Sequence, residues 1–407
     1  MKGRDLKERR AGGAPLEVLI AGGGVAALEA VLALRHLAEE RVAIELLAPE
    51  PRFWYLPLAV VEPFGLGHVH GIELVDLARA AGANFTLSAL ASVDTDQHLA
   101  RTMAGAEFAY DVLLVASGAK PVPAVPGAFT FRGPADSSAL ADLVARLAAG
   151  AFRHVAFGVP DRVTWPLPLY ELALLTTAFL AGRGVRDVEF ALVTPEDAPL
   201  ALFGRAASTA VGRLLEERGV RVYARSYPIS ADDGMLTLAP SGAIEADLVV
   251  ALPRLRGEPI GGLPHDADGF VPTDPSGRVR GVDDVFAAGD VTTFPVKQGG
   301  LAAQQAQAAA ETIAAQAGAE LTPQPFRPVL RGLLLTGAVP TYMRAELVGG
   351  GGDTSAVQTE PLWWPPGKIV GRHLAPFLSE WAGVVLAPPT EAETLPVEVD
   401  LSSALRQ

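Results

Sequence analysis

The chain has 407 residues, enough for two or three domains, and 49% of them are hydrophobic, so sizeable cores can form. Its net charge of −13, with scattered Lys and Arg residues, argues against a nucleic-acid partner. The sequence contains no cysteine, which excludes disulfides, thiolate nucleophiles, thiol redox centres and zinc–thiolate sites.

The N-terminal stretch is basic, but it includes two acidic residues, and glycines interrupt the apolar residues that follow. This composition is not typical of a secretory signal, and residues 1–14 are predicted to be disordered. Uncharged stretches reach only about a dozen residues, against the ~20 that span a bilayer, so no transmembrane segment is expected. We therefore predict a cytoplasmic protein whose contact with a membrane, if any, is peripheral.

The first motif is a glycine-rich turn between a strand and a helix. The stretch Leu16–Ala21 predicts a buried strand, and Val25–Leu37 predicts a helix. Gly22, Gly24 and Ala27 fit the pattern G-x-G-x-x-G/A. In that pattern the first glycine turns the chain, the second admits a pyrophosphate, and the third position packs the helix on the strand. The unit predicts a dinucleotide-binding fold, with phosphates at the helix start.

A second strand is predicted over Arg41–Ala48. The fingerprint expects an acidic residue near its end, about 20 positions beyond the last glycine position, for the ribose hydroxyls. Glu50 is the nearest candidate. Glu45 lies inside the strand and is expected to face solvent or a neighbouring segment.

Two further segments strengthen this interpretation. Tyr110–Ala119 is an apolar strand that ends in a turn of small residues, and Asp283–Val291 is a strand that ends in Gly289 and Asp290. Together with the glycine turn, in this order, they resemble the FAD-binding signatures of the pyridine nucleotide-disulfide oxidoreductase superfamily over about residues 16 to 320. The resemblance implies an α/β fold of two doubly wound Rossmann-like domains, an FAD domain with an inserted NAD(P)-like domain, plus a small C-terminal α+β region.

The expected domains follow from this resemblance and from a βαβα rhythm in the middle of the chain. They are a disordered N-terminus (1–14), the FAD-binding domain in two parts (15–135 and 255–325), the NAD(P)-binding-like domain (136–254), a C-terminal interface or acceptor-site domain (326–387) and a tail (388–407).

The resemblance also assigns residues to FAD. The resemblance implies that the glycine turn and the start of its helix bind the diphosphate. It implies that a later turn lies near the adenosine half, and that an aspartate at a strand end binds the ribityl chain. The residues expected to bind FAD are Gly22, Gly24, Val25, Ala27, Glu50, Pro57, Gly118, Gly289, Asp290, Lys297 and Gly300. A helix that starts near Gly300 would stabilise negative charge around flavin N1. Lys297 either adds a positive charge there, as a catalytic residue, or is an ordinary solvated lysine.

In the inserted domain, the turn after the first strand lacks a glycine fingerprint. Only Gly158 remains, and Pro160, Pro166 and Pro168 replace the flexible positions. A pyrophosphate could not lie on this turn in the usual way. Either NAD(P)H binds by another route, or the domain is a scaffold and the flavin exchanges electrons with something else.

Two features resemble particular branches of the superfamily. The proline-bearing turn is similar to that of the sulfide:quinone oxidoreductases. The stretch "FWYLPLAV" around Pro57 resembles one that runs along the flavin in that branch and in type II NADH dehydrogenases. Glu171 matches a glutamate close to flavin and nicotinamide in relatives, which makes it a catalytic candidate; alternatively, it is a first-turn acid that complements the helix dipole.

The lack of cysteine excludes the sulfur chemistry of that branch and the CxxC chemistry of thiol reductases. The expected function is therefore an FAD-dependent oxidoreductase that passes hydride or electrons through flavin N5, from NAD(P)H or another small donor to a quinone-like or small acceptor. The rival function is an electron-transfer subunit that acts only with a redox protein partner. A structural or signalling role for FAD also stays open.

The C-terminal region is expected to contribute strands, a flexible loop at 349–353 and a rigid aromatic corner at Trp363 and Trp364. That corner either walls an acceptor pocket, docks a partner or is simply core. Lys368 and Arg372 are expected four residues apart on a following helix, facing an anionic substrate or covering apolar surface. In relatives such a region lies at a dimer or quinone interface, so a homodimer is one expected assembly.

Two histidines, His68 and His70, lie on one side of an extended segment. They could begin a metal site, but no third ligand is evident, and a loop pair is the better interpretation. No metal is expected.

Overall fold

The computed structural model describes residues 14–240, 242–347 and 355–381. The predictions for the disordered N-terminus, the glycine-rich loop and the polar tail lie outside the described residues, apart from residue 14. The described helices are α1 (Val25–Ala38), α2 (Leu74–Ala80), α3 (Pro134–Ala148), α4 (Leu167–Ala181), α5 (Gly204–Glu217), α6 (Gly299–Gln316) and α7 (Leu374–Trp381), with 3₁₀ turns at Glu39–Arg41, Leu56–Phe64 and Ala201–Phe203.

The strands that the structure describes are β1 (Leu16–Ala21), β2 (Val42–Ala48), β3 (Arg52–Trp54), β4 (Gly71–Glu73), β5 (Asn84–Leu87), β6 (Leu90–Asp94), β7 (Leu99–Thr102), β8 (Glu107–Ala109), β9 (Val112–Val115), β10 (Lys120–Val122), β11 (Phe129–Thr130), β12 (His154–Gly158), β13 (Glu189–Val193), β14 (Val220–Tyr223), β15 (Tyr227–Asp232), β16 (Met235–Ala239), β17 (Ala243–Glu245), β18 (Leu248–Ala251), β19 (Arg254–Arg256), β20 (Val285–Ala287), β21 (Val329–Leu334), β22 (Thr341–Glu346) and β23 (Ser355–Gln358).

The first main sheet has five parallel strands in the order β20-β9-β1-β2-β5. The central strand β9 is apolar along its whole length because the sheet is covered on both faces, and all four of its residues are buried. Helices α1 and α6 pack closely on each other. Gly289 lies between them, since a Cβ there would be 3.1 Å from the Cβ of Ala26 and 3.4 Å from that of Ala302.

The second main sheet also has five parallel strands, in the order β11-β18-β12-β13-β14. Its edge strand β11 lies at residues 129–130, a few positions before the boundary expected at 136. Smaller antiparallel sheets complete the structure, including the C-terminal sheet β21-β22-β23. The predicted α/β class with two Rossmann-like parallel sheets is confirmed.

A buried glutamate on α1 holds the C-terminal segment in place. Glu29 has no exposed surface, and its carboxylate accepts hydrogen bonds from the backbone N–H groups of His373 (2.9 Å) and Leu374 (2.8 Å). It therefore caps α7 from another helix. A Cβ on Gly371 would lie 2.3 Å from the Glu29 carboxylate, so this approach requires glycine. Burial raises the pKa of Glu29 above its usual range, while the backbone N–H groups lower it.

The segment before α7 differs from its predicted form. Lys368 and Arg372 were expected on a helix, but α7 begins only at Leu374, and that prediction is wrong. Gly367 and Gly371 interrupt the segment, and both are poor helix residues. Lys368 is buried instead of covering the surface.

We expect Glu29→Ala to lower the free energy of unfolding by about 2–4 kcal/mol, because it leaves two backbone N–H groups and a buried space without a partner. Urea unfolding of the full chain measures the change. The matched control is Glu40→Ala, since the Glu40 side chain is 97% exposed and its removal should cost under about 0.5 kcal/mol. Equal losses in the two variants would contradict the capping role of Glu29.

Candidate functional site

A cavity of about 790 Å³ opens at the carboxyl ends of strands in the first sheet. The chain leaving β1 lines it at 24–26, the chain leaving β9 at 116–119, and the chain leaving β20 at 288–290. Residues 297–299, at the start of α6, close another side. In doubly wound folds this edge is where nucleotide ligands bind.

The glycine turn after β1 leaves its backbone open to this cavity. Gly22 has φ +145°, and a Cβ there would lie 2.1 Å from the carbonyl oxygen of Ala116, so only glycine fits. A Cβ on Gly24 would instead meet nothing within 4 Å. Helix α1 begins at Val25 with no side-chain cap, so its first N–H groups lack a side-chain acceptor. Ala27 is fully buried in the helix.

Asp290 lines the cavity at the end of the strand β20. Within the described residues its carboxylate forms no hydrogen bond and no salt bridge. Burial raises the pKa of Asp290, and the charge of Lys297 lowers it. A half-buried carboxylate without a protein partner is costly, so a ligand with hydroxyl donors would satisfy it.

Lys297 also faces the cavity, and its surroundings are distinctive. The ammonium group donates a hydrogen bond to the carbonyl of Thr292 and lies 3.9 Å from the ring centre of Phe270. Burial lowers the pKa of Lys297 to about 8, although Asp290 and Asp266 act in the opposite direction. The side chain is therefore held in place and is not an ordinary solvated lysine.

The start of α6 is capped by its own neighbour. The side-chain oxygen of Gln298 accepts a hydrogen bond from the backbone N–H of Leu301 at 2.8 Å. Gln298 and Gly299 line the cavity, whereas Gly300 is buried behind them. Gln298 was not among the predicted residues, because glutamine is not one of the side chains that usually signal a helix start.

A buried ion pair forms the opposite wall. The ammonium of Lys368 lies 2.7 Å and 2.6 Å from the two carboxylate oxygens of Glu171, on α4. It also donates to the carbonyl of Pro57 at 3.1 Å, and Glu171 accepts from the N–H of Leu335 at 2.9 Å. Burial raises the pKa of Glu171 and lowers that of Lys368, while their attraction opposes both shifts. Glu171 lies beyond the first turn of α4, so the dipole interpretation is wrong.

The predicted residues therefore fall into two groups. Those that line the large cavity are Gly24, Val25, Pro57, Gly118, Glu171, Gly289, Asp290, Lys297 and Lys368. Those that do not are Gly22 and Ala27, which shape the turn, and Glu50, Gly300, Trp363 and Trp364. Glu50 is exposed just past β2. The two tryptophans line a separate cavity.

The 159–166 loop, which follows β12 in the second sheet, crosses to the first domain. The hydroxyl of Thr164 donates to the carbonyl of Pro295 at 2.5 Å, and Arg162 Nη1 lies 3.2 Å from an Asp268 carboxylate oxygen. Trp165 and its neighbours line the large cavity. The loop thus contacts residues 268 and 295 and lines the same cavity as the glycine turn.

Glu196 is a second feature in which the second sheet differs from an ordinary nucleotide-binding sheet. It lies just beyond β13, where a Rossmann unit usually places an acid for ribose hydroxyls. Here its carboxylate already accepts hydrogen bonds from the Tyr170 hydroxyl at 2.7 Å and the Thr194 hydroxyl at 2.9 Å. Burial raises the pKa of Glu196. Sequence reasoning missed this residue, because only the fold brings Tyr170 beside it.

The rings of His68 and His70 are 4.5 Å apart. Across residues 14–240, 242–347 and 355–381, no three His, Asp or Glu side chains are grouped so that they could hold a metal ion. No helix in the described part of the chain combines the length and apolar character needed to cross a bilayer.

Part of the sequence and the fold are similar to those of known proteins. The family model for pyridine nucleotide-disulphide oxidoreductases matches residues 171–312. None of the curated proteins compared with the chain matches it significantly.

Solved structures share the fold at low sequence identity. The sulfide:quinone oxidoreductase of the hyperthermophilic bacterium Aquifex aeolicus is 20% identical, with a TM-score of 0.77 over 84% of this chain and 86% of that one. A ferredoxin reductase from Rhodopseudomonas palustris is 18% identical, with a TM-score of 0.62 over 83% and 84%. An NAD-dependent persulfide reductase from A. fulgidus is 16% identical, with a TM-score of 0.59 over 81% and 64%.

We expect Lys368→Met and Glu171→Gln each to lower the free energy of unfolding by about 3–5 kcal/mol, because each leaves a buried polar partner unpaired. The double variant should lose clearly less than the sum, as measured by urea unfolding in a double-mutant cycle. The exposed pair Asp76 and Arg79, 2.9 Å apart, is the control and should show a coupling under about 1 kcal/mol. Additive losses for Lys368 and Glu171 would rule out their coupling.

Proposed function

We propose that this chain, in which residues 171–312 match the family model for pyridine nucleotide-disulphide oxidoreductases, is an FAD-dependent oxidoreductase of that superfamily. It would move electrons from a small donor to a quinone-like or small acceptor without cysteine chemistry. The observation that carries the proposal is the large cavity, where an open glycine turn, an uncapped helix start and a partnerless carboxylate meet. These groups suit a diphosphate and a polyhydroxyl chain.

Each part of FAD has a matching group in this chain. The turn at Gly22 and Gly24, with the first N–H groups of α1, would hold the diphosphate. Gly118, with φ +77° and open space at its Cβ position, would allow close approach by the adenosine half. Asp290 would accept hydrogen bonds from ribityl hydroxyls. Glu50 stays a candidate for the adenosine ribose.

When bound, the flavin would supply the two-electron and one-electron chemistry that no side chain here provides. The protein's part is electrostatic. Lys297, fixed by the Thr292 carbonyl, brings a positive charge to the cavity below pH ~8, and the N-terminus of α6 adds its dipole. The Glu171–Lys368 pair fixes the opposite wall and, through the Lys368 ammonium, holds the Pro57 carbonyl in place.

The donor is proposed to be a small molecule other than NADH or NADPH. The 159–166 loop is tied to Pro295 through Thr164 and to Asp268 through Arg162, and it lines the large cavity. One carboxylate oxygen of Glu196, Oε2, already accepts hydrogen bonds from the Tyr170 and Thr194 hydroxyls. Both features remove contacts on which a nicotinamide dinucleotide usually depends.

A second candidate function is electron transfer to a bound redox protein. Trp364 is 52% exposed, which is unusual for so large an apolar side chain and suits a docking surface. In that case the flavin would be reoxidised only in the presence of the partner.

We expect the purified protein to be yellow and Gly24→Val to fold normally but to bind FAD at least about tenfold more weakly. Gly24 has ordinary extended dihedral angles and open space at its Cβ position, so valine obstructs only the ligand. Asp290→Asn should weaken FAD binding as well, and Asp142→Asn, at an exposed position on α3, should not. Fluorescence titration of the apoprotein measures all three. A colourless protein that ignores added FAD would refute the proposed function.

Stopped-flow absorbance near 450 nm tests the donor. Mixing the FAD-loaded protein with NADH or NADPH should give no fast, saturable bleaching, whereas dithionite should bleach it completely. Saturable reduction by either nucleotide would show that NAD(P)H is a donor. It would contradict the proposed donor but not the proposed FAD binding. Reoxidation of the dithionite-reduced protein by a soluble quinone alone would favour the enzyme over the partner-dependent subunit.

A further inference from the structure

A second cavity, of about 700 Å³, lies across α6 from the large one. Ala302 lines the large cavity, and Gln304, Gln307 and Glu311 line the second. At 100° per residue these positions fall on opposite faces of the helix. Residues 324–327 and 370–372, Glu29, Arg331 and the aromatic corner Trp363 and Trp364 also line the second cavity.

Three arginines line this second cavity: Arg327, Arg331 and Arg372. Within the described residues, none of their guanidinium groups forms a salt bridge or donates a hydrogen bond. Arg327 and Arg372 are exposed, and Arg331 is half-buried. Burial and the nearby charge of Arg344 lower the pKa of Arg331, so its charge is held at a cost. In a chain of net charge −13, this grouping of free cations is unusual.

The two carboxylates that line the cavity, those of Glu29 and Glu311, already accept hydrogen bonds from uncharged donors. Glu29 accepts from the backbone N–H groups that start α7, and its pKa is raised by burial more than Arg372 lowers it. Glu311 accepts from the Gln307 side chain at 3.0 Å and the Gln324 N–H at 2.8 Å. Neither carboxylate forms a salt bridge with the arginines within the described residues. The cavity therefore has positive charge left for a ligand.

An aromatic surface lies beside these charges. The Trp363 indole N–H donates to the Gly367 carbonyl at 2.9 Å, and its ring meets Tyr342 edge-on at 5.1 Å. Trp363 is thus fixed, while Trp364 next to it is 52% exposed. An exposed indole beside arginines favours a ligand that has both a flat ring and an anionic group.

We propose that this second cavity binds a small aromatic molecule that carries a carboxylate, sulfonate or phosphate group. The arginines hold the oxyanion, and Trp364 contacts the ring. The concave shape favours a small molecule over the acidic face of a protein. Arg331 lines both cavities, so the ligand lies directly beside the large one. Only the link from this site to the flavin rests on the proposed function.

Isothermal titration calorimetry of the FAD-loaded full chain tests the site with four ligands that share one ring system and differ in its substituent. They are 2-naphthoate, 2-naphthalenesulfonate, 2-naphthyl phosphate and neutral 2-naphthol. At least one anion should bind roughly tenfold or more tightly than 2-naphthol, and its affinity should fall as salt rises. The anion that binds most tightly identifies which group, carboxylate, sulfonate or phosphate, the site prefers. Equal binding of 2-naphthol and all three anions would overturn the proposal.

Variants locate the binding. The double variant Arg327→Ala with Arg372→Ala should lose the preference for the anions, whereas replacement of both by lysine should retain part of it. The matched control removes Arg205 and Arg213, two exposed arginines on α5 that line neither cavity, and should bind as the parent does. Trp364→Ala should weaken anions and 2-naphthol alike. Unchanged anion binding in the Arg327 and Arg372 double variant would refute the site.

The same titration without FAD separates this inference from the function. A protein that does not bind added FAD but still prefers the anion would support the site and refute the proposed function. A protein that binds FAD but binds the anions no better than 2-naphthol would support the proposed function and refute the site.

Discussion

The contact between Glu171 and Lys368 holds together the parts that make the large cavity. It joins α4 of the second sheet to the segment before α7, and the same ammonium reaches the Pro57 carbonyl. The residues are 197 positions apart, so the ion pair closes a long stretch of chain at one buried point. Removing both charges from water is costly, and the full set of hydrogen bonds offsets that cost. Three separate segments therefore keep a fixed geometry around one wall.

The sequence predicted what depends on neighbouring residues. Apolar runs such as Leu16–Ala21 and His154–Gly158 are strands, and the glycine turn between β1 and α1 lies at the cavity as expected. The helix predicted near Gly300 begins at Gly299. In each case a short periodic pattern and one or two special residues determine the structure, because backbone sterics act locally. The end of a parallel strand then indicates which residues gather at the ligand edge.

Contacts between distant residues could not be predicted in this way. Nothing beside Glu171 indicates that Lys368 is its partner, and nothing near Glu29 indicates that it caps α7. The helix expected through Lys368 and Arg372 failed because two glycines and these tertiary contacts outweigh a spacing of four. The free arginines went unnoticed for the same reason, since an unpaired charge is recognised only when every neighbour is known.

Helix α6 is the partition between the two cavities, and its composition has a consequence for how they communicate. Ten of its 18 residues are alanine or glycine, so few long side chains thicken the wall. Charge placed on one side is therefore felt through little more than the helical backbone, where screening by water is weak. Occupancy of either compartment should alter the electrostatic potential in the other, and thermodynamic linkage makes that influence equal in both directions.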